Sequence, residues 1–291
     1  MKEIKFLDPS IERKKKITNK NFQLIKGTNI PLPSEVEISE SGVCNRKCSF
    51  CPRSDPSYED INEFIDSNLH SKLINQLRDL DYRGVVRYSG FVEPLLDKNI
   101  YNLVKEVSLK LPNCRREIVT NGDVLNGKRL KNLFDSGLST ILISVYDGPE
   151  DAKKFEKMCM DQNLSSEQFV IRHRYYSEEK DFGLTISNRA GMMKNAEYNI
   201  QPLQKSLSLK CYYPSYTFFM DYNGDVLMCP HDWGKKIILG NMNKDNFLDI
   251  WTSKKAIKIR KKLNKSDRNF SPCNVCDVKG DLIGKKHAES W

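Results

Sequence analysis

Along the first two thirds of the chain, short β-prone segments alternate with longer stretches of helical period. Glu35-Val-Glu-Ile-Ser39 alternates polar and apolar residues and reads as a strand with Val36 and Ile38 on its buried face. Gly84–Tyr88, Arg116–Thr120, Ser139–Val145 and Phe169–Arg174 read as further strands, with Leu184–Ser187 as a weaker sixth. Helical patterns fall at Ile61–Leu80, Lys98–Leu111 and Gly127–Ser136, and Pro149–Gln162 precedes the fifth strand. Strands and helices in this alternation predict parallel strands joined by right-handed crossovers. The gap between the fifth and sixth strands is about ten residues, too short for a regular crossover helix. The expected fold is therefore α/β, an open, truncated β/α barrel rather than a closed one.

Directly after the first strand the chain reads Gly42-Val-Cys-Asn-Arg-Lys-Cys-Ser-Phe-Cys-Pro52. The C-x3-C-x2-C spacing puts Cys44, Cys48 and Cys51 on one tight loop, able to ligate three irons of a cubane cluster and leave the fourth open. A structural zinc site normally closes with four ligands, and no further Cys or His lies near this loop. A second group, Cys211, Cys229, Cys273 and Cys276, follows in the last third. Within it, Asp221-Tyr-Asn-Gly-Asp-Val-Leu-Met-Cys229 reads as a hairpin turning at Asn-Gly. The four cysteines taken alone leave a zinc ribbon and an iron–sulfur centre both open.

The first motif resembles the radical S-adenosylmethionine (radical SAM) superfamily, and Phe50 matches the aromatic residue that family carries before its third cysteine. The segment Tyr88-Ser-Gly-Phe-Val-Glu-Pro-Leu-Leu96 looks like the family's Ser-Gly-x-Gly-Glu-Pro motif, with Val92 in place of the second glycine. The resemblance implies a truncated TIM-like barrel that binds S-adenosylmethionine through Phe50, Tyr88, Ser89, Gly90, Glu93, Asn121 and Ser144. Glu93 would accept a hydrogen bond from the cofactor's ammonium. The second cysteine group, with Leu239-Gly-Asn-Met242 and Phe247-Leu-Asp-Ile-Trp251 in order, resembles the family's auxiliary-cluster domains. Of nine cysteines, Cys114 and Cys159 are then left over as packing residues, too few for a third cubane. That count implies a shortened, one-cluster (twitch) form of the SPASM extension, and two [4Fe–4S] clusters in all. The organisation expected is an N-terminal extension over 1–33, the barrel over 34–200 and a small α+β auxiliary-cluster domain over 201–291.

The implied activity is reductive cleavage of S-adenosylmethionine to a 5′-deoxyadenosyl radical that abstracts hydrogen from substrate. A secondary alcohol of a sugar, cyclitol or nucleotide-sugar would be oxidised, with the auxiliary cluster taking the second electron. Peptide side-chain modification is the alternative within the family, and a zinc-binding nucleic-acid module the alternative outside enzymes. In Val170-Ile-Arg-His-Arg-Tyr175, alternation puts Arg172 and Arg174 on one face, and Arg189 follows the sixth strand at a Gly-marked turn. Arg174 and Arg189 are the candidate catalytic residues, and the cluster of guanidinium groups leads to an expected anionic substrate. His231, after a Cys-Pro pair, has the chemistry of a base or ligand, with an ordinary supporting or surface role the favoured reading.

Lys and Arg outnumber Asp and Glu, 47 to 38. The excess suits an acidic electron donor of the flavodoxin or ferredoxin type, while the basic runs lack the interleaved aromatics of a nucleic-acid surface. Arg13-Lys-Lys-Lys16 reads as part of a flexible arm, and Lys254–Lys262 as a solvated helix face. No apolar run is long enough to span a membrane, the N-terminus lacks a signal-peptide pattern, and the cysteine usage points to a reducing, cytoplasmic setting.

Overall fold

The strands form one open sheet in the order β5-β4-β3-β2-β1-β6-β7-β8. The computed structural model describes residues 11–175, 187–195 and 199–291. β1 (Glu35–Ser39), β2 (Val85–Tyr88), β3 (Arg115–Thr120), β4 (Thr140–Val145) and β5 (Phe169–His173) run parallel in chain order. A first helix, α1 (Ile11–Lys20), precedes them, and α2 (Ser67–Asp79), α3 (Ile100–Lys110), α4 (Gly127–Asp135) and α5 (Pro149–Asp161) make the crossovers. The strand bounds fall within a residue of the pattern-based expectation. The first crossover helix starts later, at Ser67, because the Asp66 carboxylate accepts from the backbone N–H groups of Asn68 and Leu69 and fixes the helix start there.

The proposed sixth strand largely lies outside the described residues, since 184–186 are not among them. Among the described residues, a sixth parallel strand comes from further along the chain. β6 (Thr217–Asp221) pairs with β1 on the opposite edge, in register from Glu35 with Thr217 to Ser39 with Asp221. β7 (Asp225–Leu227) and β8 (Ile238–Asn241) extend it antiparallel, with Asn223-Gly224 at the hairpin turn. The sheet therefore runs without a break across the expected boundary at residue 200. Four short C-terminal helices complete the described chain: α6 (Tyr213–Tyr216), α7 (Phe247–Trp251), α8 (Lys254–Asn264) and α9 (Lys285–Glu289).

Alternation divides the sheet into two chemically distinct faces. Val36, Ile38, Val86, Ile118 and Ile143 pack against the apolar stripes of the crossover helices, each burial worth about 1.5–3 kcal/mol. Cys114 and Cys159 are buried in this same core. The opposite face carries Glu35, Glu37, Arg87, Ser89, Glu117 and Ser144, all buried. Buried charges at this depth require partners. Arg87 pairs with both Glu35 and Glu117, the latter at 2.8 Å, and Arg115 reaches Glu117 at 2.7 Å.

α1 corrects the flexible-arm expectation. Its Arg13 pairs with Glu117, and Lys14 lies 3.4 Å from Glu35 and 5.6 Å from the Tyr213 ring centre. Two residues of the basic run thus neutralise carboxylates of the inner face, because Glu35 and Glu117 outnumber the strand cation that reaches them both, Arg87. Among the described residues, no helix is long and apolar enough to cross a membrane.

Candidate active site and auxiliary cysteine centre

β1 ends inside the sheet and releases the chain into the cysteine loop. The loop is fastened to the exits of the neighbouring strands by polar contacts. Arg46 donates to Asp123 beyond β3 (2.7 Å) and to Asp147 beyond β4 (2.9 Å). Asn45 donates to Asp123 at 2.7 Å and accepts from the Asn121 amide at 2.8 Å. On the other side Arg53, buried, donates to the carbonyls of Gly42 (2.7 Å) and Phe91 (2.6 Å), tying the loop's two ends to the exit of β2. Asp123 and Asp147 also hold the Arg46 guanidinium firmly protonated. Arg46, Arg53, Asp123 and Asp147 were not singled out from sequence. The available signal was a pair of aspartates just past adjacent strand ends, in Asn121-Gly-Asp123 and Tyr146-Asp147.

Glu93 sits beneath this loop, 2 % exposed. One carboxylate oxygen accepts from the Thr120 hydroxyl (2.6 Å) and the Leu95 N–H (3.1 Å), the other from the Asn121 N–H (2.7 Å). Burial pushes its pKa up to about 7, and these three donors oppose the shift. A carboxylate offers about four acceptor sites, so one remains for a further donor. Gly90, at φ 108°, lies so close to the Phe219 ring that an added Cβ would stand 2.9 Å from it. Ser89 donates to Glu37 at 2.6 Å on the inner face. Phe50 packs on Tyr146 with ring centres 5.3 Å apart. Ser144 is buried and accepts from Arg172 at 3.3 Å.

Tyr88 departs from the expected set. Alternation along β2 turns its side chain into the helix-side core, where its hydroxyl meets His70 Nε2 at 2.8 Å. Only its backbone faces the strand exit.

Arg174 is buried just past β5, and both it and Arg172 are engaged by other groups of the protein. Arg189 follows Asn188, whose backbone N–H donates to Asp277 (2.9 Å) and whose amide donates to the Val275 carbonyl (2.6 Å). Those bonds fix Arg189 beside the Cys273–Cys276 turn. Arg189 and Ala190 both take left-handed backbone angles, φ 45° and 51°, a costly pair for non-glycine residues. The three arginines do not form an uncompensated cluster: Arg172 and Arg174 are engaged within the protein, and the Arg189 charge opposes the rise that burial causes at half-buried Asp277.

Cys211, Cys229, Cys273 and Cys276 line one small apolar cavity together with Met228, His231 and Leu263. All four are free thiols. Burial, followed by the neighbouring thiols, raises Cys229 well above its ordinary pKa, and the same pair of causes raises Cys273. Protonated thiols at this depth have little to bond to, whereas a polycationic iron–sulfur group would take all four as thiolates. Gly280 presses on Cys211 so closely that an added Cβ would meet its sulfur at 2.3 Å. The donor set and this glycine cradle fit a fully cysteine-ligated cluster. The loop cysteines fit a three-ligand one: burial and its neighbour Cys51 push the Cys48 thiol up to about 11. His231 stands against Tyr213 with ring centres 4.9 Å apart and is held neutral, its pKa pushed down to about 3 by burial.

Comparison with known proteins accounts for both centres. Residues 38–186 match the radical SAM superfamily and residues 211–277 match SPASM, an iron–sulfur cluster-binding domain. S-adenosyl-L-methionine-dependent 2-deoxy-scyllo-inosamine dehydrogenase of Niallia circulans is 30% identical over 84% of this chain and 92% of its own. A GTP 3′,8-cyclase of Clostridium perfringens is 27% identical over 41% of the chain and 36% of its own. The crystal structure of BtrN in complex with AdoMet and 2-DOIA superposes with a TM-score of 0.73 at 28% identity, covering 90% of this chain and 99% of that one. The chain belongs to the radical SAM superfamily, whose cofactors are S-adenosylmethionine and a [4Fe–4S] cluster, and carries an iron–sulfur cluster-binding SPASM domain behind its open barrel.

Proposed function

We infer that this protein is a radical SAM dehydrogenase that oxidises a secondary alcohol of a cyclitol or sugar. The observation that carries the reading is the auxiliary centre. Four thiols surround one apolar cavity, leaving no ligand position for substrate and suiting that centre to electron transfer. The 30% identity to a cyclitol-amine dehydrogenase over most of both chains supports the same activity. When bound to the open iron and reduced, S-adenosylmethionine supplies the 5′-deoxyadenosyl radical.

The chain's own residues do the rest. Cys44, Cys48 and Cys51 hold the catalytic cluster, and Arg46 and Arg53 hold that loop against three strand exits. Glu93 offers its remaining acceptor site to the methionine ammonium. Asn121 and Ser144, with Phe50 stacked on Tyr146, border the space left for the nucleoside. Arg174 and Arg189 orient the substrate's oxygen atoms. Loss of the carbinol hydrogen to that radical would leave a ketyl species that becomes the ketone by giving up its hydroxyl proton and one electron, and a cluster held by Cys211, Cys229, Cys273 and Cys276 would supply the acceptor for that electron. With Arg172 and Arg174 engaged within the protein and Arg189 beside Asp277, the arginines do not by themselves call for an anionic substrate, and a neutral or amino-substituted polyol, as in the cyclitol-amine relative, suits the site. An acidic one-electron carrier in a reducing cytoplasm completes the cycle.

The test is anaerobic turnover against a panel of cyclitols, amino-cyclitols and sugar acids deuterated at the carbinol carbons. Ketone formed in step with deuterated 5′-deoxyadenosine supports the reading. Deuterium transfer from a peptide, or deoxyadenosine formed without ketone from any alcohol, overturns it.

A further inference from the structure

α8 presents two faces of opposite character. Inward, Ile259 and Leu263 pack with Cys229 and Cys273, and the Leu263 carbonyl accepts from the Cys211 N–H at 3.2 Å. Outward, the segment Lys254–Lys265 carries six lysines and no Asp or Glu. Lys255 donates to the Ile238 carbonyl, and Lys262 is 3.2 Å from Asp267. Lys254, Lys258, Lys261 and Lys265 are exposed, with no acidic partner among the described residues. The cysteine loop is different: there Arg46 and Lys47 are matched by Asp123, Asp147 and Asp60. The helix that packs over the auxiliary cysteines thus carries four exposed lysines with no acidic partner among the described residues.

We propose that the outer face of α8 is the docking site of an acidic one-electron carrier protein, which draws the electron out of the auxiliary centre. The proposal rests on reading that centre as the electron acceptor. Oxidation of a carbinol to a ketone releases one hydrogen atom to the adenosyl radical, one proton and one electron. That electron leaves the protein to an oxidised carrier, or the auxiliary centre stays reduced after one turnover. A carrier seated on the lysines is separated from the cysteines by one helix, about 10–12 Å across, a span over which electrons tunnel. Four unpaired lysines in three turns give the complementary field that steers an acidic partner to that face.

The experiment uses the reconstituted holoenzyme and a purified flavodoxin, with anaerobic calorimetry at low and physiological salt. The triple variant Lys258→Glu/Lys261→Glu/Lys265→Glu weakens flavodoxin binding by about tenfold or more. A charge-matched triple on the barrel helices, Lys105→Glu/Lys128→Glu/Lys157→Glu, leaves binding within about twofold. Iron content and visible spectrum stay unchanged in both, and both form the first equivalent of 5′-deoxyadenosine normally when dithionite supplies the priming electron. Equal weakening in the two triples, or none in either, overturns the proposal. So does tighter binding of a DNA duplex or an anionic lipid vesicle than of flavodoxin, if the α8 triple abolishes it. Binding is read without substrate, so failure of the alcohol-oxidation reading leaves this result standing, and failure here leaves the single dithionite-primed turnover intact.

Discussion

Cys44, Cys48 and Cys51 stand on one half-exposed loop, whereas Cys211, Cys229, Cys273 and Cys276 are gathered from segments separated by β6, β7, β8, α7 and α8. The first centre is anchored by side chains that reach across strand exits, such as Arg46 to Asp123 and Asp147. The second is anchored by packing, with Ile259, Leu263 and Met228 around it and Gly280 against Cys211. A site that must admit a cofactor is fixed from its polar rim, and a site that only passes electrons is sealed by an apolar wall.

Removing the loop ligands gives the largest expected effect. Cys44→Ala/Cys48→Ala/Cys51→Ala abolishes 5′-deoxyadenosine formation and lowers iron from about eight to about four per chain, since one cubane holds four. An iron assay with chromatography of the nucleoside checks it, and unchanged iron would mean that the loop holds no cluster. Cys229→Ala breaks the comparison from the other side. Deoxyadenosine formation persists, ketone formation stops, and the melting temperature falls by about 5 °C or more because the sealed core loses its cross-link.

A narrower test is Gly280→Ala, whose new Cβ collides with the Cys211 sulfur. Auxiliary iron is lost while the loop cluster is retained, as seen by Mössbauer spectroscopy. The smallest effect falls at Glu93. Glu93→Gln weakens S-adenosylmethionine binding by about 1.5–3 kcal/mol, the scale of a hydrogen bond to a charged group. With a pKa near 7 rather than the ordinary 4.5, Glu93 is protonated in the cofactor-free protein below neutrality. The cationic cofactor prefers the ionised form, so affinity rises with pH up to about 7 and is level above it, and the Gln variant loses this dependence. The sign for folding is opposite. A raised carboxyl pKa means stability that is full below 4.5 and is lost as pH climbs to about 7.

What could be read from the sequence follows the same division. β1 to β5 and their helices were legible because each is specified by its own periodicity, and the loop cysteines because their spacing is local. The partner of β1 was not legible. Thr217–Asp221 looks like half of a hairpin, and nothing within it announces that its free edge pairs with residues far earlier in the chain. Tyr88 shows a related limit: a motif gives the position along the strand, but the pleat decides which way the side chain turns, here toward His70. Arg13 and Lys14 looked like part of a flexible arm because their counter-charges, Glu35 and Glu117, sit on strands far along the chain that only the fold brings to them.

The β1–β6 pairing has a consequence for electron flow. The loop centre lies beyond the C-terminal end of β1, while Cys211 precedes β6 and Cys229 follows β7 back toward the start of β6. The two centres therefore hang from opposite ends of one hydrogen-bonded strand pair. Five residues of strand span about 17 Å. The strand pair acts as a ruler between donor and acceptor, and a ruler made of backbone hydrogen bonds keeps its length through every turnover. The interval an electron crosses is set when the sheet forms.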